Sequence, residues 1–187
     1  MRRNKLNVPD AKTIHAVGPF WAPYAQRNQI FASDGAGRFR DVSEANEAFC
    51  GTARVSRGLA CGDLDNDGGL DLVVSSVATD ARIYRNIAPG RGHWLLVRAI
   101  DPALGGRDAY GAVIAVAAAG QRWTRWSNPG SSYLSSNDPR AHFGLGKIER
   151  VDAIEVLWPD GATELFPGQR ADALVVLAKG KGKLKAP

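Results

Sequence analysis

Two cysteines in 187 residues, Cys50 and Cys61, are too few for a disulfide framework. A bridge between them would close only a short loop, and their spacing is not the C-x-x-C of a zinc site, so cysteine usage leaves the redox compartment open. Long apolar runs are missing as well. The longest resemble Ala173-Leu174-Val175-Val176-Leu177-Ala178, far short of the roughly 20 residues a membrane span requires, and no membrane insertion is expected. The first ten residues carry charge with no apolar segment behind them, which reads as a chain without a signal peptide. Histidine is scarce: His15, His93 and His142. His142 stands near Asp138 and Ser135 in sequence, but no serine sits in a G-x-S-x-G elbow, and proximity in sequence is not triad geometry. Gly144-Leu145-Gly146-Lys147 lacks the spacing of a phosphate loop. These absences together argue against an enzyme.

What is present points to strands. Twenty-one glycines and ten prolines punctuate short apolar runs, and no helix-period pattern competes, so the fold class expected is all-β. The hydrophobic fraction of 44% is enough for a core of ordinary size. The net charge of +5 is unevenly placed. Arg2, Arg3 and Lys5 crowd one end and Lys179, Lys181, Lys183 and Lys185 the other, while acidic residues gather between Asp63 and Asp71. The basic tail has no aromatic residue on which a base could stack, so nucleic acid is not an expected partner.

Along the chain, residues 1–27 read as an irregular N-terminal segment. Residues 28–88 hold short strands over 29–32, 38–42, 57–61, 72–75 and 81–86, with a glycine-containing turn at 33–37 and the acidic loop at 63–71. Strand, acidic turn, strand, turn, strand makes one blade-like antiparallel unit, and Ile30-Phe31 and Ile83-Tyr84-Arg85-Asn86 suggest a degenerate repeat. Residues 43–55 carry no clear pattern. A turn-rich linker ends at Gly92, and residues 93–178 read as seven short strands, over 93–100, 111–119, 121–127, 141–145, 151–158, 162–166 and 173–178. Ile154, Val156 and Trp158 alternate onto one face, and Asp160-Gly161 marks a hairpin. That pattern predicts a small antiparallel β-sandwich or barrel-like domain. Residues 179–187 read as a basic, disordered tail.

The chemistry concentrates in Asp63-Leu64-Asp65-Asn66-Asp67-Gly68-Gly69-Leu70-Asp71. Carboxylates at positions 1, 3, 5 and 9 repel one another, by roughly 4 kcal/mol per pair at 4 Å and an effective dielectric near 20. A cation turns that repulsion into affinity. Oxygen ligands without His or Cys select calcium or magnesium over zinc or copper. Asp63, Asp65 and Asp67 can wrap inward, the Gly69 carbonyl can add a backbone ligand, Asp71 closes the shell, and Gly68 supplies the sharp turn. Calcium tolerates such a loose shell better than magnesium. Position 12 is Val74 rather than a bidentate Glu, and the flanks read as strands, so the loop is not an EF-hand. The expected role is a structural clip rather than a sensor.

The stretch from Gly58 through this loop to Val74 resembles the FG-GAP, or VCBS-type, calcium repeat of integrin-like β-propellers, and residues 28–43 resemble the strand-turn-strand that precedes such a loop. From His93 onward the chain resembles the ASPIC and UnbV domain, through His93-Trp94-Leu95, Asp108-Ala109-Tyr110-Gly111-Ala112, Gly130-Ser131-Ser132-Tyr133-Leu134-Ser135, His142-Phe143-Gly144-Leu145-Gly146 and Trp158-Pro159-Asp160-Gly161. The motif order is that of the cartilage acidic protein family. The resemblance implies a partial β-propeller blade closed by a C-terminal β domain, bound calcium, an extracellular or cell-surface location, and no enzymatic activity. A propeller needs several blades, so against the resemblance this stretch reads as the C-terminal portion of a longer protein or as one that has lost its N-terminal blades. An incomplete propeller exposes sheet edges, through which the chain would self-associate.

Trp123 and Trp126, with Arg125 between them and Arg122 beside, invite an alternative: an adhesive or carbohydrate-binding module in which an indole stacks on a sugar. Three residues apart on one strand, the two indoles point to opposite faces, so at most one can enter a two-layer core. The sequence names neither a protein nor a glycan partner.

Overall fold

The computed structural model describes residues 15 and 18–185. Residues 1–14 and 16–17 of the N-terminal segment, with Arg2, Arg3 and Lys5, and residues 186–187 of the tail lie outside the described residues. The chain divides into two compact units. One holds the residues up to Leu59 together with Val73–Tyr84; the other holds Ala60–Leu72 and the residues from Arg85 on. The boundary expected near Gly92 is therefore not where the units part, and the acidic loop belongs to the second.

In the first unit, β1 (Phe31–Ser33) and β2 (Phe39–Asp41) pair antiparallel, Phe31 opposite Asp41. Their turn is closed by Asp34, whose Oδ1 accepts from the N–H groups of Ala36 (2.8 Å) and Arg38 (3.1 Å). Residues 43–55, unassigned from sequence, hold a 3-10 turn over Ser43–Ala45 and one turn of helix, α1 (Glu47–Cys50). A four-residue helix gives no sequence period to detect. β3 (Ser56–Gly62), β4 (Asp71–Ser76) and β5 (Thr79–Tyr84) form a three-stranded sheet in that order, with the last residues of β3 and the first of β4 counted in the second unit. This sheet is the succession of strand, acidic turn, strand, turn, strand expected from sequence, and β1–β2 makes a separate sheet of its own. The last residues of the irregular segment are packed: Ala22 and Ala25 bury against Val55, with Trp21, Ala53 and Val77 around them. Cys50 and Cys61 are both free thiols.

The second unit carries β6 (His93–Asp101), β7 (Arg107–Asp108), β8 (Val113–Ala118), β9 (Gln121–Trp126), β10 (Ala141–Gly146), β11 (Ala153–Leu157), β12 (Thr163–Pro167), β13 (Ala173–Ala178) and β14 (Lys183–Leu184). One sheet runs β10-β6-β13 with β7 paired to β6; the other runs β14-β12-β11-β8-β9. Alternate residues bury into one core: Leu95, Val97 and Ala99 from β6, Ile114 and Val116 from β8, Phe143 from β10, Ile154 and Val156 from β11, and Leu177 from β13. Trp158 joins them, as its alternation with Ile154 and Val156 predicted. The architecture is all-β, and none of the sheets among the described residues closes into a barrel.

Two expectations about this unit are corrected. It is not wholly antiparallel: β13 runs parallel to β6, Ala173 beside Leu95 and Leu177 beside Ala99. β13 reaches β6 from β12 in the other sheet instead of by a hairpin, and a crossover of this kind permits parallel pairing. Nor is the tail disordered as far as residue 185. The buried carboxylate of Glu164 accepts from the N–H groups of Gly180 (2.7 Å) and Gly182 (2.9 Å), folding the chain back so that β14 pairs with β12, Leu184 opposite Glu164.

Candidate metal centre

The acidic loop leaves the end of β3 and re-enters at the first residue of β4. Asp63 and Asp71, at these two strand ends, are buried at 0% and 2% exposure. A buried carboxylate requires hydrogen bonds, and the loop's own backbone supplies most of them. Asp63 Oδ1 and Oδ2 accept from the N–H groups of Asp67 (3.1 Å) and Gly68 (3.0 Å). Asp71 Oδ2 accepts from Leu64 N–H (3.0 Å), and its Oδ1 from Asn86 N–H (2.8 Å). Left-handed backbone at Asn66 (φ 58°) and Gly68 (φ 86°) turns those donors inward.

The result is a group of three. One carboxylate oxygen from each of Asp63, Asp65 and Asp71 lies within 4.8 Å of the others. Asp63 and Asp71 accept hydrogen bonds only from backbone donors among the described residues, so no side-chain cation bonds either carboxylate directly, although the Arg91 and Arg140 guanidiniums lie close enough to Asp63 to feel its charge. An all-oxygen carboxylate set of this kind could hold a hard divalent ion.

The sequence proposed five ligands, and the structure does not gather all of them. Asp67 stands outside the group of three. Arg91 grips its carboxylate with two prongs, Nη1 to Oδ1 at 2.7 Å and Nη2 to Oδ2 at 2.9 Å, and Arg85 Nη2 reaches Oδ2 at 3.2 Å. The Arg91 guanidinium, helped by the Gly69 N–H, holds the Asp67 carboxyl well below the usual carboxylate range. Gly69, proposed as a carbonyl ligand, turns its N–H to Asp67 Oδ1 at 2.9 Å. Arg85 also pairs with Asp65 through Nε.

β6 and β10 frame the loop with side chains from one face of their sheet. Trp94 of β6 lies against Gly68 so closely that a Cβ there would overlap the indole. His142 of β10 bonds the Gly68 carbonyl through Nε2 at 2.8 Å. Arg140, just before β10, donates to the Asp63 carbonyl and to Asn66 Oδ1, each at 2.7 Å. Asp138 holds that guanidinium in turn, and Asp138 N–H bonds the Cys61 carbonyl at 2.9 Å. None of Arg85, Arg91, Trp94, Arg140 and His142 was marked by sequence for a part in the loop. Arg85 and Arg91 follow the end of the loop by 14 and 20 residues, and their charge close after an acidic run was the one signal available.

The other sequence candidates fall elsewhere. His142, Asp138 and Ser135 do not assemble: His142 faces Gly68, Asp138 faces Arg140, and Ser135 Oγ donates to the Tyr133 carbonyl. His93 Nδ1 meets Asp172 Oδ2 at 2.7 Å. On β9, Trp123 packs against the core, whereas Trp126 is 68% exposed. Arg125, two residues from Trp123, shares that inner face and lies 5.8 Å from the centroid of the Phe143 ring. The three residues of the glycan alternative therefore do not share a surface.

Two family models match the chain in succession: the FG-GAP-like repeat over residues 20–74, and ASPIC and UnbV over residues 104–184. Cartilage acidic protein 1 of Homo sapiens is 38% identical over 103 residues, 53% of this chain, and the Xenopus tropicalis protein of the same name is 38% identical over 108 residues, 56% of this chain. The matched stretches amount to 15% and 16% of those relatives' lengths.

Proposed function

From a chain that carries an FG-GAP-like repeat joined to an ASPIC and UnbV domain, with homology to cartilage acidic protein 1 over about half its length, we propose a calcium-binding, non-enzymatic interaction module of an exported protein. The observation that carries this reading is the convergence of Asp63, Asp65 and Asp71, two of them buried and hydrogen-bonded only by backbone donors among the described residues. These three carboxylates would hold the ion, with Asp67 joining once released by its arginines. The ion supplies positive charge to a buried acidic cluster and ties the end of β3 to the start of β4. Extracellular calcium saturates even sites of about 10⁻⁴ M, which fits a loop without a bidentate glutamate. The partner is proposed to be a protein, a second copy of this chain included, met through exposed sheet edges. No helix among the described residues is long and apolar enough to cross a membrane.

The test is thermal unfolding with calcium, magnesium or chelator, on wild type and Asp65→Ala. At a hundred times Kd, a ligand of the native state adds about 2.7 kcal/mol, or about 5–10 °C for a chain of this size. That rise is expected with calcium, smaller with magnesium, and absent in the variant. An unchanged midpoint with either ion would reduce the loop to a turn.

A further inference from the structure

We propose that Arg85 and Arg91 are built-in competitors of the cation, setting its affinity low, while Arg140 does the opposite and holds the loop in its cation-ready shape. The inference rests on the calcium reading above. Three arginines surround one acidic loop, yet they bind different parts of it. Arg91 and Arg85 take carboxylates that the sequence assigns as ligands: Asp67 by two prongs of Arg91 and one of Arg85, and Asp65 by Arg85 Nε. A divalent ion drawing Asp65 and Asp67 into its shell must first displace these guanidiniums, and each one left nearby repels it. Arg140 touches no carboxylate of the loop. It donates to the Asp63 carbonyl and the Asn66 side-chain oxygen, so it braces the backbone and leaves the ligand oxygens free.

The two groups also differ in their freedom to move. Arg140 is 19% exposed at its side chain and tied to Asp138. Arg85 is 62% exposed; Arg91 is 32% exposed and also donates to the Asn86 carbonyl at 3.1 Å, but it borders an open cleft with Gly90, Gly92, His93 and Lys147 into which it can turn when the ion arrives. The cation and the two arginines thus exclude one another at Asp65 and Asp67, and the coupling is reciprocal. Such competition suits a clip that fills only where calcium is abundant.

Bulk electrostatics and this arrangement predict different signs, and that makes the test decisive. Removing any positive charge near the loop tightens cation binding if charge alone matters. Calorimetric titration of calcium into the full chain should instead show Arg91→Gln tightening Kd by about tenfold, between the value of an exposed pair and that of a two-pronged charge-assisted one. Arg85→Gln should tighten it by a smaller factor. Arg140→Gln should weaken binding several-fold. Arg91→Lys, which keeps the charge and loses the two-pronged grip, should fall between wild type and Arg91→Gln; it carries the test alone if melting in chelator shows Arg140→Gln to be unfolded. Equal tightening by Arg91→Gln and Arg140→Gln, or unchanged or weaker binding in Arg91→Gln, overturns the inference while leaving the calcium reading intact. No heat from wild type or any variant overturns both.

Discussion

Gly68 is the residue at which the loop and its frame meet, and Gly68→Ala tests that geometry with one methyl group. Two costs add. The backbone sits at φ 86°, where an L side chain is disfavoured by about 1–2 kcal/mol. The new Cβ also falls on Cδ1 and Nε1 of Trp94, so the indole or the loop must shift and either the His142 bond to the Gly68 carbonyl or the packing of Trp94 is lost, another 1–3 kcal/mol, roughly. The sum is about 2–5 kcal/mol, which lowers the melting midpoint by about 4–20 °C for a chain of this size. Gly120→Ala separates the two costs. That glycine has nearly the same backbone (φ 73°) but nothing within 4 Å of the new methyl, so it should show the backbone term alone. Calorimetric melting in chelator, which removes any contribution from an ion, is the assay. Equal losses in the two variants would refute the reasoning, since Trp94 would then not be packed on the loop.

Other substitutions report on the rest of the second unit. Glu164→Ala removes the acceptor for Gly180 and Gly182; hydrogen exchange should show the amides of Gly180, Gly182 and Lys185 losing protection, with stability falling by about 1–3 kcal/mol. Trp123→Ala opens a gap against the core and should cost about 2–4 kcal/mol in urea unfolding, whereas Trp126→Ala, on the exposed face, should stay within about 0.5 kcal/mol of wild type.

Part of this fold is legible in the sequence because two-residue alternation survives in strands such as β11 and β12. Ile154, Val156 and Trp158 name the inner face of β11 and its turn, and Asp160-Gly161 marks the hairpin to β12. What the sequence hides is pairing between distant segments. The parallel register of β13 on β6 depends on which sheet the chain returns to, and an apolar run such as 173–178 looks the same in either orientation. β14 is hidden for a related reason. Gly-Lys-Gly-Lys reads as a frayed end, and only the buried Glu164 of another strand gives its amides a partner. The candidate site divides along the same line. Local spacing brings Asp63, Asp65 and Asp71 together, but the diversion of Asp67 depends on Arg91, which no spacing rule within the loop includes.

That diversion bears on where the ion's free energy would appear. The loop carries the sequence pattern of a repeat, but its bonding partners from Arg85 on all belong to the same compact unit as β6 and β10. The donors that shape the loop are its own amides, and those amides are held in place by Trp94, Arg140 and His142. Unfolding the second unit removes all three braces at once. The left-handed turn at Asn66 and Gly68 then has no frame, and the three carboxylates return to a flexible chain in which their convergence must be purchased with conformational entropy. A ligand stabilises the state that binds it, and here that state exists only while β6 and β10 are folded. The cation would therefore raise the melting of the second unit, and leave protection in β1 and β2 of the first unchanged.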